Sequence, residues 1–331
     1  MSTATLPSLL QSFFTERLIA QRRASSHTVA SYRDCFRLLL GFATTRLGKQ
    51  PSALTLEEID ATLISRFLDH LERDRGNSAR SRNTRLAAVH SFARYVAMNE
   101  PAHLLHCQRI LAIPNKRYER KPVGFLDEAD VTALLKEPDL TKWIGRRDRA
   151  LLLVATQTGL RVSELVGLRR EDVSLGTGAH VRCRGKGRKQ RATPLRKDAI
   201  AVLKLWMAEN DGPPSAPLFP SSRGGALSRD AVEALLKRHF AGAQEQRPSL
   251  KVKKVTPHTL RHSAAMALLQ HGVDRSVIAL WLGHESVETT QIYLHADMGL
   301  KERALAHTTP TKQKPARYRA GDKLLAFLEG L

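Results

Sequence analysis

Between Pro101 and Pro122 the apolar periodicity of the chain stops, and Pro114, Asn115, Lys116, Arg117, Arg120 and Lys121 fill the gap. Prolines without a buried stripe cannot continue a helix or pair as an inner strand, so this stretch separates two folding units. A chain of 331 residues is long enough for each unit to bury its own core. The expected division is a helical N-terminal domain over 1–105, a basic linker over 106–121, a second domain over 122–307 and a C-terminal tail over 308–331.

Before the break the apolar period is helical throughout. Leu9, Leu10, Phe13, Phe14 and Leu18 form one stripe over 7–20. Val29, Tyr32, Phe36, Leu39 and Leu40 form a second, from a cap at Ser26 to Gly48, and bring Cys35 beside it. Ile59, Leu63, Phe67, Leu68 and Leu71 predict a third helix over 57–73, and Leu86, Val89, Phe92, Ala93 and Val96 a fourth over 78–100. Beyond the break, helices are predicted over 127–135, 146–160, 196–207, 228–240 and 258–271. Residues 172–195 change to strand period around Gly176–Gly178 and Gly185–Gly187. The fold class is mainly α with a small antiparallel β-sheet.

Charge narrows the partner. Lys and Arg number 53 against 32 Asp and Glu, a formal net charge of +21, well beyond what solubility requires. A polyanion fits this excess. The fourth helix starts with Arg80, Arg82, Asn83, Thr84 and Arg85, and the second helix adds His27, Ser31 and Arg33, a set suited to DNA phosphates and base edges. The hairpin over 182–191 carries Arg182, Arg184, Lys186, Arg188, Lys189 and Arg191 with no acidic residue. A plainly solvated basic surface is the rival for both groups. The hairpin lacks the spacing and hydroxyl of a nucleotide-binding phosphate loop. Cys35, Cys107 and Cys183 are odd in number and far apart, which suits neither a disulfide scaffold nor a zinc knuckle and points to a reducing compartment. No run approaches the roughly 18 apolar residues of a membrane span, so the expected setting is cytoplasmic, at the nucleoid.

Five short blocks can carry chemistry, the basic hairpin around Lys186 among them. In 158–165, Arg161 can pair with Glu164 or clamp phosphate oxygens. In 256–272, Pro257 opens a helix that sets His258 and Arg261 on one face. His258 and His262 are four apart, but no Glu stands between them and no Cys lies nearby, so a zinc site is not expected. His284 can donate to a phosphoryl oxygen. Tyr293 is either a packing residue or, with cations stabilising its phenolate, a nucleophile.

These blocks, TGLRVSEL at 158–165, GKGRKQR at 185–191, HTLRH at 258–262, LGH at 282–284 and Tyr293, resemble the tyrosine site-specific recombinase, or phage integrase, family. The resemblance implies a helical core-binding, SAM-like domain followed by a mixed α/β catalytic domain. It also implies roles: Arg161 and Arg261 clamp the phosphate, Lys186 is the general acid, His258 assists proton transfer, His284 adds a hydrogen bond, Glu164 supports the site and Tyr293 attacks. The implied reaction cuts and rejoins DNA strands through a 3′-phosphotyrosyl bond, with no cofactor and no metal. The implied partners are double-stranded DNA and further protomers, four on two DNA sites, with partner recombinases among them. A mobile-element integrase or transposase is the expected role. Xer-like dimer resolution, type IB topoisomerase relaxation and an inactive DNA-binding regulator are the alternatives.

Overall fold

The computed structural model describes residues 5–119, 123–185, 190–283, 290 and 293. Lys186, Arg188, Lys189, His284 and the tail over 308–331 lie outside the described residues. The chain divides into two compact units, Met1–Arg120 and Lys121–Leu331.

In the first unit, α1 (Leu6–Ser12) starts from the Thr5 hydroxyl, which accepts from the Ser8 N–H, and runs on into a π-helical stretch, Phe13–Gln21. Helices α2 (Ser26–Leu47), α3 (Ala61–Arg73), α4 (Ala79–Asn99) and α5 (Leu104–Leu111) follow. The α2 cap is Ser25, one residue before the expected Ser26, and its hydroxyl accepts from the Thr28 N–H at 3.2 Å. Phe13 is fully buried, and its ring meets Phe14, Tyr32, Phe36, Phe92 and Tyr95 at centroid distances of 5.4 to 6.4 Å. Cys35 is core, and burial pushes its thiol up to about 12.

The expected linker over 106–121 begins inside a helix. Helix α5 puts Cys107 and Ile110 into the N-terminal core, and Ile113 follows them. The apolar stripe is hard to see because the helix has only 8 residues and its first turn exposes Leu104 and Leu105. His90, midway along α4, meets the Ile110 carbonyl at 3.2 Å and ties the last turn of α5 to it.

The second unit contains α6 (Glu128–Lys136), α7 (Trp143–Thr158) and the single turn α8 (Val162–Val166). Strands β1 (Val173–Ser174), β2 (His180–Arg184) and β3 (Gln190–Pro194) form an antiparallel sheet in that order, with Val181 opposite both Val173 and Thr193. Then come α9 (Lys197–Glu209), α10 (Arg229–Gln246), α11 (Pro257–Gln270) and α12 (Arg275–Leu282). Helix α7 is the spine, with Leu151, Leu152 and Val154 fully buried among Leu203, Trp206 and Leu260. Buried Asp148 ties α7 to α10 by accepting from Arg147, Arg238 and His239. No described helix is long and apolar enough to cross a membrane.

If α5 belongs to the N-terminal core, Ile110→Ala lowers unfolding stability by about 2–4 kcal/mol in urea denaturation. Leu105→Ala, at a position 62% exposed, stays within about 0.5 kcal/mol of wild type.

Candidate active site

The ends of α7, α8, α11 and α12 and strand β3 bring the chemistry together. Helix α7 stops at Gly159 with φ +63°, and α12 stops at Gly283 with φ +66°. Both turns adopt a left-handed backbone that favours glycine, and both sit close against neighbouring side chains. A Cβ at 159 would lie 2.7 Å from Leu282 Cδ2, and one at 283 would lie 2.8 Å from Arg191 Nη1.

Glu164 sits inside this junction with its side chain 5% exposed. Its Oε2 accepts from the Arg161 backbone N–H at 2.8 Å, which fixes the entry to α8, and its Oε1 accepts from Arg161 Nη1 at 3.0 Å. Arg191 of β3 grips the same carboxylate with both terminal nitrogens, at 3.0 and 2.7 Å. Burial works to raise the Glu164 pKa, but the hydrogen bonds from Arg191 and the Arg161 backbone outweigh it and hold the carboxyl below its ordinary value.

Arg261, on the first turns of α11, is 2% exposed, and among the described residues no carboxylate pairs with it. It donates to Gly159 O at 2.7 Å and to Leu282 O at 2.8 Å. Both carbonyls stand at helix C-termini, where the backbone carries partial negative charge. Burial and the nearby Arg161 lower its pKa to about 10, so the guanidinium stays charged at neutral pH. Three consecutive carbonyls at the end of α12 each accept from a different arginine: Trp281 O from Arg191, Leu282 O from Arg261 and Gly283 O from Arg161. Among the described residues, Arg161 and Arg191 share the Glu164 carboxylate while Arg261 is held by carbonyls, and positive charge is left for an anion.

Tyr293 is 1% exposed among Ala265, Met266, Leu269, Ile278 and Leu282. Its hydroxyl lies 3.0 Å from His262 Nδ1. Burial raises the phenol pKa, while the positive charges of Arg261 and Arg161 pull it the other way. His262 also meets His258, with ring centroids 4.9 Å apart, and His258 is exposed.

Of the residues expected at the site, Arg161, Glu164, Arg261, His258 and Tyr293 converge on this junction. Lys186 and His284 lie outside the described residues. Arg191, expected on a phosphate, is instead the buried partner of Glu164, because a carboxylate shielded from water needs a second cation. His262 has no role in the sequence reading beyond the zinc pairing with His258 that the block argues against. The signal available was its place one turn beyond His258 and next to Arg261.

The N-terminal basic set separates in the same way. Arg82 is 9% exposed and donates to Pro114 O, and its Nε lies 3.9 Å from Glu72. Asn83 exchanges hydrogen bonds with the Lys116 backbone, and Arg85 donates to Ser31 O. Arg82 braces the fold from a buried position, while Asn83 and Arg85 make these bonds half-exposed, with Asn83 on the same groove as Arg80. Arg80, Thr84, His27 and Arg33 are exposed, with Arg33 3.1 Å from Asp34. Arg80 and Thr84 border a shallow groove with Lys116 and Arg117. On the sheet, Arg182 and Arg184 are exposed, and Arg182 donates to Glu171 O.

Residues 124–299 match the phage integrase family, and residues 12–100 match the phage integrase N-terminal SAM-like domain. "Putative integrase/recombinase y4rC" of Sinorhizobium fredii is 57% identical over 328 residues, 99% of each chain. Tyrosine recombinase XerD of Pseudomonas putida is 35% identical over 289 residues, 85% of this chain and 91% of that one. Among solved structures, the Tn1549 transposon integrase in complex with transposon right end DNA is 14% identical with a TM-score of 0.68, covering 91% of this chain and 98% of that one. The XerH recombinase in its post-cleavage complex is 23% identical with a TM-score of 0.67, covering 86% and 81%. At these identities the two structures speak for the fold.

Because the Glu164 pKa is depressed in the folded state, its contribution is complete above the ordinary glutamate value of 4.5 and is lost as pH falls toward the folded value. Glu164→Gln therefore lowers stability at neutral pH by about 2–4 kcal/mol. It also flattens the acid limb of melting temperature against pH, as thermal unfolding across that range would read.

Proposed function

The chain belongs to the phage integrase family, the tyrosine recombinases that cleave and rejoin DNA strands, and from that membership we propose that Tyr293 is its nucleophile in site-specific recombination. The observation that carries this reading is the burial of one phenol at a junction where, among the described residues, Arg161, Arg191 and Arg261 outweigh the charge of Glu164. A phosphodiester entering there gains negative charge as it becomes five-coordinate, and fixed guanidinium groups stabilise that charge.

In this mechanism Tyr293 Oη attacks the scissile phosphorus, forming a 3′-phosphotyrosyl bond and releasing a 5′ hydroxyl. The hydroxyl of a partner strand then reverses the step, so the bond energy is retained without nucleotide hydrolysis. Arg161 and Arg261 hold the phosphate oxygens, and Glu164 and Arg191 hold Arg161 in place. Lys186 supplies the proton to the leaving oxygen, His284 adds a hydrogen bond to the phosphate, and His258 serves proton transfer at the exposed edge of the site.

Double-stranded DNA is the substrate, bound by both units, with four protomers assembling on two sites. A DNA substrate supports a location at the nucleoid, in the cytoplasm. The mobile-element role is supported by the name of the relative that is 57% identical and by the likeness to a transposon integrase fold. A second reading, Xer-like dimer resolution, is favoured by the relative named XerD, 35% identical over 289 residues.

Incubation with a duplex selected by this protein from a randomised library is expected to yield a detergent-resistant adduct with wild type and none with Tyr293→Phe, which still binds. Wild-type adduct from Y293F would sink the nucleophile assignment. In the same binding assay Arg80→Ala lowers the slope of log affinity against log salt by about one. Arg82→Ala leaves the slope unchanged and lowers the melting temperature instead.

A further inference from the structure

The family blocks leave one close partner of the phenol without a role. His262 Nδ1 lies 3.0 Å from Tyr293 Oη, within the reach required of a general base, and the two rings meet edge-on with centroids 5.5 Å apart. Helix α11 fixes this contact. Its next residues, Ser263, Ala264, Ala265 and Met266, are buried, so the His262 backbone has little freedom to move.

We propose that His262 is the base that takes the Tyr293 proton during strand cleavage and returns it during rejoining. The proposal rests on Tyr293 being the nucleophile. With the ring proton on Nε2, Nδ1 presents its lone pair to the phenol, and the phenol donates. As Oη bonds to phosphorus, the Oη–H bond breaks and the proton passes to Nδ1. The P–O5′ bond breaks, and the leaving oxygen takes its proton from the general acid. In the reverse step a 5′ hydroxyl bonds to phosphorus and gives its proton to the now deprotonated general acid, while the imidazolium returns its proton to Oη as the phosphotyrosyl bond opens.

The surroundings suit a base that waits for its substrate. Burial, then the charges of His258 and Arg261 on its own helix, push the His262 imidazole down to about 4, so it is neutral with its lone pair available. Tyr293 faces it from the opposite segment, with Arg161 and Arg261 bearing on the phenol. A DNA phosphate brought against these arginines adds negative charge beside the ring. That charge raises the basicity of His262 at the step where the proton must move.

The test uses the full-length chain and single-turnover cleavage of the library-selected duplex. His262→Asn and His262→Gln keep a hydrogen-bond acceptor near the phenol but cannot accept its proton. Both are expected to bind the duplex as wild type does and to cleave about 100-fold more slowly. Their rates should also rise about tenfold per pH unit through the mildly alkaline range, where wild type is flat, because hydroxide must then ionise the phenol. A duplex with sulfur in place of the scissile 5′ oxygen releases its leaving group without a proton, and the deficit should persist on it.

Wild-type rates in either variant, a slow rate with a flat pH profile, or full rescue by the sulfur substrate would each overturn the base assignment. The Tyr293→Phe control separates the two levels of the reading. Cleavage by Y293F removes the nucleophile and this inference together. An inactive Y293F beside a fully active H262N removes the inference alone.

Discussion

One buried carboxylate organises the second unit's chemistry. Glu164 accepts from the backbone and side chain of Arg161 and from both ends of the Arg191 guanidinium, and so joins the entry of α8 to strand β3. A lone carboxylate in that place would be costly, and two unpaired arginines would repel. Together they leave Arg161 oriented and 32% exposed, the form in which a guanidinium can meet a phosphate.

Arg261 is solved differently. It is more deeply buried than Arg161, yet its hydrogen-bond partners among the described residues are two carbonyls at helix ends, which solvate its charge without pairing it. The contrast divides the work. One arginine is steered by an acid, and the other keeps its full charge for whatever anion enters. Tyr293 completes the arrangement because its burial disfavours the phenolate while Arg261 and Arg161 favour it.

Much of this could be read from sequence because the relevant signals are local. Helical stripes such as Leu63, Phe67, Leu68 and Leu71 announce their own packing face, and Arg161 with Glu164 lies within one turn. The unreadable part is long-range. Arg191 and Glu164 are 27 residues apart, and nothing in either block marks them as partners, so a basic hairpin residue resembles its phosphate-seeking neighbours. Arg82 resembles Arg80 for the same reason, although helix rotation turns one inward toward Pro114 O and the other outward. His262 sits in a motif whose other members have obvious uses, and only the fold brings Tyr293 to it from 31 positions away.

The close of α12 gathers these strands. Trp281, Leu282 and Gly283 present successive carbonyls to Arg191, Arg261 and Arg161, and the left-handed Gly283 is wedged against Arg191. Tyr293 follows ten residues after that glycine in the chain. The turn is therefore a single fulcrum: a small tilt would retune three cations in concert, and the polypeptide leading to the phenol departs from the same pivot.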